Sequence, residues 1–170
     1  MNKIIIFENQ YVHFKIIGEM LSHHGFKVFP ALDEDDDVTL QNFKEVMDPI
    51  RICINLAYGY ELRMKAFAKV SSFIKHIKPD LIIVEFKLSS NSNSQSGIDL
   101  AMQLRNNDVD SPIMFLSQTP FNNIAVIKNI GAVVPPYKWI TKGYSDDTII
   151  SSDYFNKEVI PQINMIIKER

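Results

Sequence analysis

Residues 79–97 read PDLIIVEFKLSSNSNSQSG. The apolar run Leu81, Ile82, Ile83, Val84 is continuous rather than alternating, the pattern of a strand covered on both faces within a parallel sheet. A strand over Asp80 to Phe86 would carry a carboxylate, Glu85, and an ammonium, Lys87, to its carboxyl end. Ligands and chemistry in open α/β sheets collect just outside such ends. Ser89 to Ser96 is rich in serine and asparagine, has no apolar anchor, and is expected to form an extended polar loop.

Lys3 to Phe7 is a second continuous apolar strand, ending in Glu8, Asn9 and Gln10. Phe14, Ile17 and Leu21 recur at helical spacing, and Gly25 is placed to end that helix in the left-handed conformation. His23 and His24, in its last turn, lack an i, i+4 partner and read as structural rather than metal-binding. Lys27 to Leu32 is a shorter strand interrupted by Pro30, which suits a sheet edge. The acidic run Asp33, Glu34, Asp35, Asp36, Asp37 lacks the glycine and distal glutamate of a calcium loop and reads as a solvated loop.

Leu40, Phe43 and Met47 predict a short helix from Thr39 to Met47, closed by Pro49. Ile50, Ile52, Ile54 and Leu56 then alternate with Arg51, Cys53 and Asn55 as a strand would, although a helical turn or ordered loop fits so short a segment equally. Leu62, Ala66, Val70, Phe73 and Ile77 mark an amphipathic helix from about Tyr60 to Ile77, leading directly into the central strand.

Past the polar loop, Ser96 and Asp99 have the spacing of a capping pair, and Ile98, Ala101 and Leu104 form an apolar stripe. Pro112 to Leu116 reads as a buried strand ending at Ser117. Ile124, Ile127 and Ile130 predict a helix stopped by Gly131, and Tyr137 to Thr141 a last strand ending at Lys142. Ser152 to Lys168 is expected to be helical, with Phe155, Val159, Ile163 and Ile166 on one face and a kink at Pro161.

Composition narrows the function classes. The 170 residues fit one domain, 1–170, with an insertion at about 33–59, and a formal net charge of -2 gives no general attraction to nucleic acid or anionic membrane. The single cysteine, Cys53, excludes an internal disulfide and a cysteine-based metal cluster, and fits a reducing cytoplasm. No apolar run approaches the roughly 20 residues that span a bilayer. The N-terminus MNKIIIFENQ meets polar groups too soon for a signal peptide.

Taken together, the strand ends carry Glu8 and Asn9, then Glu85, then Ser117, then Lys142. With the phrases KIIIFENQ, GFKVF, KPDLIIVEFKL, SGIDLAMQLR, SPIMFLSQT, IGA and WITKG, this order resembles the receiver domain of two-component response regulators, the chemotaxis-type fold. The resemblance implies an α/β fold: a doubly wound, flavodoxin-like, five-stranded parallel sheet in the order 2-1-3-4-5, with the insertion between strand 2 and helix 2. It places Glu85 where the family has its phosphoacceptor aspartate, and Glu8 and Asn9 where it has an acidic pair. Ser117 and Lys142 stand at the positions of its hydroxyl and lysine, and Trp139 at that of its switching aromatic.

The departures from the family pattern shape the functional expectation. Glu85 is one methylene longer than aspartate, Asn9 replaces an acid, and Gly143 stands where proline follows the lysine. Two carboxylates, Glu8 and Glu85, face Lys142, with Lys87 close enough in sequence to join as a pocket ion pair. That balance predicts no cofactor and weak or absent magnesium binding, through Glu8 and Glu85 if at all. Glu85 would then act as a phosphomimic, holding the ammonium of Lys142.

The expectation is a stand-alone, atypical receiver-like signalling module that is not an enzyme. It would bind a signalling protein or a histidine kinase-type partner through its fourth helix, last strand and last helix, or pair as a homodimer, with neither nucleic acid nor membrane as a partner. One alternative is phosphorylation on Glu85 or a nearby serine. Another is a metal-dependent nuclease of the PD-(D/E)XK type, because Glu85, Phe86 and Lys87 spell its E-x-K half. Against the nuclease, Asp80 lies too early in the same strand and Asp48, just before Pro49, is a poor substitute.

Overall fold

The computed structural model describes residues 1–88, 96–117, 137–141 and 151–169, with the backbone alone for 137–141. In chain order the elements are β1 (Lys3–Phe7), α1 (Tyr11–His23), β2 (Lys27–Phe29), α2 (Asp36–Cys53), α3 (Tyr60–Ile77), β3 (Leu81–Val84), α4 (Ser96–Arg105), β4 (Ile113–Ser117) and β5 (Tyr137–Thr141). The final helix, α5, runs over 152–168 as a short turn Ser152–Tyr154, a π-helical turn Phe155–Val159 and the segment Ile160–Lys168. The helix expected over Ile124 to Ile130, Lys142 and most of the polar loop lie outside the described residues.

The five strands are all parallel, in the order β2-β1-β3-β4-β5. The continuous apolar runs explain the three inner positions: every residue of β3 and β4 is buried, as are Ile4 to Phe7 of β1. The order reverses between β1 and β3. Right-handed crossovers therefore put α1 on one face and α3 on the other. α5 returns to the side of α1, where His24 Nε2 meets Asn156 Oδ1 at 2.8 Å. Gly25 closes α1 with φ 81°, and β2 lies at a sheet edge as expected but stops at Phe29, because Pro30 has no amide to continue the ladder, and does not run on to Leu32.

The stretch 33–59 departs from its sequence pattern. Helix α2 runs from Asp36 to Cys53 with Pro49 inside it, so the helix is not closed at Met47 and residues 50–53 form no strand. Proline removes the donor that would meet the carbonyl four residues back and crowds that carbonyl, yet here the helix continues past it. The apolar spacing carries on through it: Phe43, Met47, Ile50 and Ile54 are buried at steps of four, three and four. Of the alternating set, Ile52 is only partly buried and Leu56 is 75% exposed. The acidic run is likewise not all loop. Asp35 caps α2 by accepting from the Asp37 amide, and Asp36 and Asp37 occupy the first turn, where carboxylates complement the helix dipole.

Two contacts tie α2 to α1. The Phe43 ring lies 5.1 Å from Phe14 and 5.4 Å, edge-on, from Tyr11. At the edge of that cluster the Tyr11 hydroxyl donates to Asp36 Oδ1 at 2.6 Å, and Lys15 Nζ donates to the same oxygen at 2.7 Å. Partial burial, then the hydrogen bond to Asp36, pushes the Tyr11 phenol up to about 12. The hydrogen bond from Lys15, then that from Tyr11, holds the Asp36 carboxyl below its ordinary value.

In α5 the expected stripe is buried, at Phe155, Val159, Ile163 and Ile166. Pro161 is accommodated by the π turn before it, where the Ile160 amide reaches the Phe155 carbonyl, five residues back.

Two measurements check this architecture. Phe43→Ala should cost about 3–5 kcal/mol in urea unfolding, the loss typical of a core phenylalanine; a cost below about 1 kcal/mol would make α2 a peripheral decoration. The raised Tyr11 phenol contributes stability that is complete below its ordinary value of 10.0 and is lost as pH rises toward about 12. The stability lost between those two pH values should therefore be smaller in Tyr11→Phe than in the parent.

Candidate site at the carboxyl ends of the strands

The register Phe7↔Val84 brings Glu8 and Glu85 side by side, one residue past β1 and β3. The ladder extends to them: the Glu85 amide donates to the Phe7 carbonyl at 2.8 Å. Both carboxylates are withdrawn from water, Glu8 to 2% exposure and Glu85 to 7%. Ser117, at the end of β4, is fully buried, and Trp139 lies opposite Phe115 in the β4–β5 register.

Each acid is held by nearby groups. Glu85 Oε1 accepts from the Phe86 amide at 2.7 Å and, more weakly, from the Lys87 amide at 3.4 Å. Glu8 Oε1 accepts from the Gln10 amide at 3.2 Å and lies 3.9 Å from His13 Nδ1. Buried carboxylates need such donors, since an uncompensated buried charge costs several kcal/mol.

The chain leaving β3 is clamped by α4. The Gly97 amide donates to the Phe86 carbonyl at 2.8 Å, and the Leu88 amide donates to Ser96 Oγ at 2.8 Å. A Cβ on Gly97 would lie 2.2 Å from the Glu85 carbonyl oxygen and 2.9 Å from Phe86 Cα, so only glycine fits. The Ser96 hydroxyl, expected to cap α4 with Asp99, is thus occupied in tying the strand exit to the helix. Burial raises the Asp99 carboxyl above its ordinary value.

Two residues at this end escaped the sequence reading. His13 is buried against Glu8, and a signal existed: positions 13, 17 and 21 share the buried face of α1. Arg51, on α2, donates from one guanidinium nitrogen to the Asn9 carbonyl at 2.9 Å and from the other to Asp48 Oδ1 at 3.1 Å, over the Phe43 ring at 5.7 Å. No local pattern marks it, because the contact joins residues 42 positions apart.

Lys87 does not join the pocket. It is exposed, and among the described residues its ammonium pairs with no carboxylate. The nuclease groups do not converge either. Asp80 Oδ2 accepts from the Lys3 amide at the amino end of the sheet, and Asp48 holds Arg51.

The magnesium site implied by the family resemblance is not matched by this donor set. The position of the second acid holds Asn9, a neutral amide, and among the described residues no three His, Cys, Asp or Glu side chains cluster to hold a metal ion.

No protein-family model and no curated protein matches this sequence. Solved structures do match it. The receiver domain of a Francisella response regulator superposes with a TM-score of 0.57 at 15% identity, over 99% of this chain and 98% of that one. The response regulator domain of Thermotoga maritima CheB gives 0.58 at 12% identity, over 99% and 97%. The receiver domain of a sensor histidine kinase from Pseudomonas aeruginosa PAO1, which has a magnesium ion coordinated in its active-site cleft, gives 0.55 at 13% identity, over 98% of each chain. At these identities the likeness establishes the fold, that of response-regulator receiver domains.

Gly97→Ala tests the clamp. Forcing a methyl into the Glu85 carbonyl should destabilise the protein by about 2–4 kcal/mol in urea unfolding. A loss below about 1 kcal/mol would mean that α4 does not fix the strand end.

Proposed function

We propose that this chain is a receiver-like signalling module that works by binding a protein partner, a histidine kinase-type or other signalling protein, and not by accepting a phosphoryl group. The observation that carries the proposal is the engagement of the Glu85 carboxylate by the amides of Phe86 and Lys87. Phosphoryl transfer to a carboxylate needs an oxygen in line with the donor, and small misplacements cost orders of magnitude in rate. A carboxylate one methylene longer than aspartate, turned back onto its own backbone, is badly placed to attack.

Charge supports the same reading. The pocket keeps two carboxylates at the strand ends, and its rim carries Arg51 beside Asn9. Backbone amides donate to both carboxylates, and the His13 ring lies 3.9 Å from Glu8, at the strand ends where the family resemblance implies a divalent ion. Glu85 is then a fixed structural carboxylate, and we extend to Lys142 the role of its ammonium partner.

Incubation with acetyl phosphate and magnesium, read by intact mass, should leave the parent chain unmodified, and magnesium titration should leave the fluorescence of its single tryptophan, Trp139, unchanged. The double variant Glu85→Asp, Asn9→Asp should gain a magnesium-dependent fluorescence change. A stoichiometric phosphoryl adduct on the parent would overturn the proposal.

A further inference from the structure

A cavity of about 330 Å³ lies where α2, α3 and the end of β2 meet, at the small end of the range of about 300–1,000 Å³ found for ligand clefts. Helix α2 turns one face to it, with Glu45, Val46 and Pro49 at helical spacing, and α3 contributes Lys69, Val70 and Phe73. Phe29 and Pro30 complete the wall from the strand end. Pro30 and Val70 are buried while Glu45 and Lys69 are exposed, so the cavity is apolar at depth and charged at its mouth. Pro30 and Pro49 bring no backbone donor to it, which leaves an interior with little polar demand. The wall is also held in place: Asn42 Nδ2 donates to the Ala31 carbonyl at 3.0 Å, tying the chain that leaves β2 to α2.

The two charges at the mouth have opposite sign and come from different helices. Glu45 Oε1 accepts from Gln41 Nε2, on its own helix, at 3.1 Å, and among the described residues no ion pair joins Glu45 to Lys69. A second ammonium, Lys27 Nζ, lies 5.5 Å from the centroid of the Phe29 ring. A purely apolar occupant would leave both mouth charges unanswered, and a singly charged one would answer one sign. A compact zwitterion on an apolar body answers both. The cavity takes one side chain and not a helix, whose diameter is about 10–12 Å.

We propose that the cavity between α2 and α3 binds a free amino acid with a large apolar side chain. That side chain lies against Phe29, Val70 and Phe73, the carboxylate meets Lys69 and the ammonium meets Glu45. This goes beyond the reading of the chain as a partner-binding module, since it adds a small-molecule input, and it does not depend on the state of Glu85.

Calorimetric titration tests the proposal with L-phenylalanine and L-leucine as probes. Phenethylamine, which lacks the carboxylate, 3-phenylpropionate, which lacks the ammonium, and L-alanine, which lacks the apolar body, are the controls. L-Phenylalanine should bind the parent about fivefold more tightly than either single-charge analogue, the preference expected of one partly exposed charged contact, and L-alanine should not bind measurably. Lys69→Met should weaken L-phenylalanine about fivefold and abolish its advantage over phenethylamine. Glu45→Gln should abolish its advantage over 3-phenylpropionate. Both positions are exposed, so these variants should keep the parental melting temperature.

The proposal is overturned if neither L-phenylalanine nor L-leucine binds, if either single-charge analogue binds as tightly as L-phenylalanine, or if the two charge variants bind it like the parent. Preferential binding of 3-phenylpropionate would also overturn it, and would make the occupant an apolar carboxylate held by Lys27 and Lys69. A phosphoryl adduct on the parent would sink the fixed-pocket reading and leave this site untouched.

Discussion

The close approach of α4 to the end of β3 governs the rest of the site. With 2.2 Å between a notional Gly97 Cβ and the Glu85 carbonyl, the helix sits directly on the strand's last peptide. The strand exit, residues 85 to 88, runs under this helix, where each buried amide needs a partner. The amides of residues 85 to 88 find them in order: the Phe7 carbonyl, Glu85 Oε1 twice, and Ser96 Oγ. The side chain of Glu85 is therefore part of the turn that carries it. Its orientation follows from the amides it must satisfy.

Much of this arrangement was legible because burial on both faces leaves a simple trace. The runs at residues 4–7, 81–84 and 113–116 have few polar interruptions, and a parallel sheet is the structure that buries such runs completely. Helices α3 and α5 were equally plain, since each presents one apolar stripe at helical spacing. The polar strand ends gave the site's position. They did not give its chemistry. That depends on where a carboxylate turns once folded, and the extra methylene of Glu85 lets it reach its own amides.

What the sequence concealed lies in α2 and in contacts across long separations. Residues 50–56 satisfy a period of two in their apolar letters, yet Phe43, Met47, Ile50 and Ile54 satisfy the helical period over a longer span, and the longer pattern prevails. Proline at position 49 looked like a stop, but it deletes one hydrogen bond from a helix held by its packing on Phe14 and Tyr11. Arg51 could not be placed without that helix. Once α2 is continuous, its last turn brings a guanidinium to the carboxyl end of β1.

Electrostatics then governs the pocket. Two carboxylates with 2% and 7% exposure face, as anions, a burial cost of several kcal/mol each unless donors compensate them. A pocket that relies on a divalent ion for this is destabilised when the ion leaves, and that dependence allows its state to be switched. Here the amides of Gln10, Phe86 and Lys87, which belong to the fold itself, donate to Glu8 and Glu85, and the His13 ring packs beside Glu8.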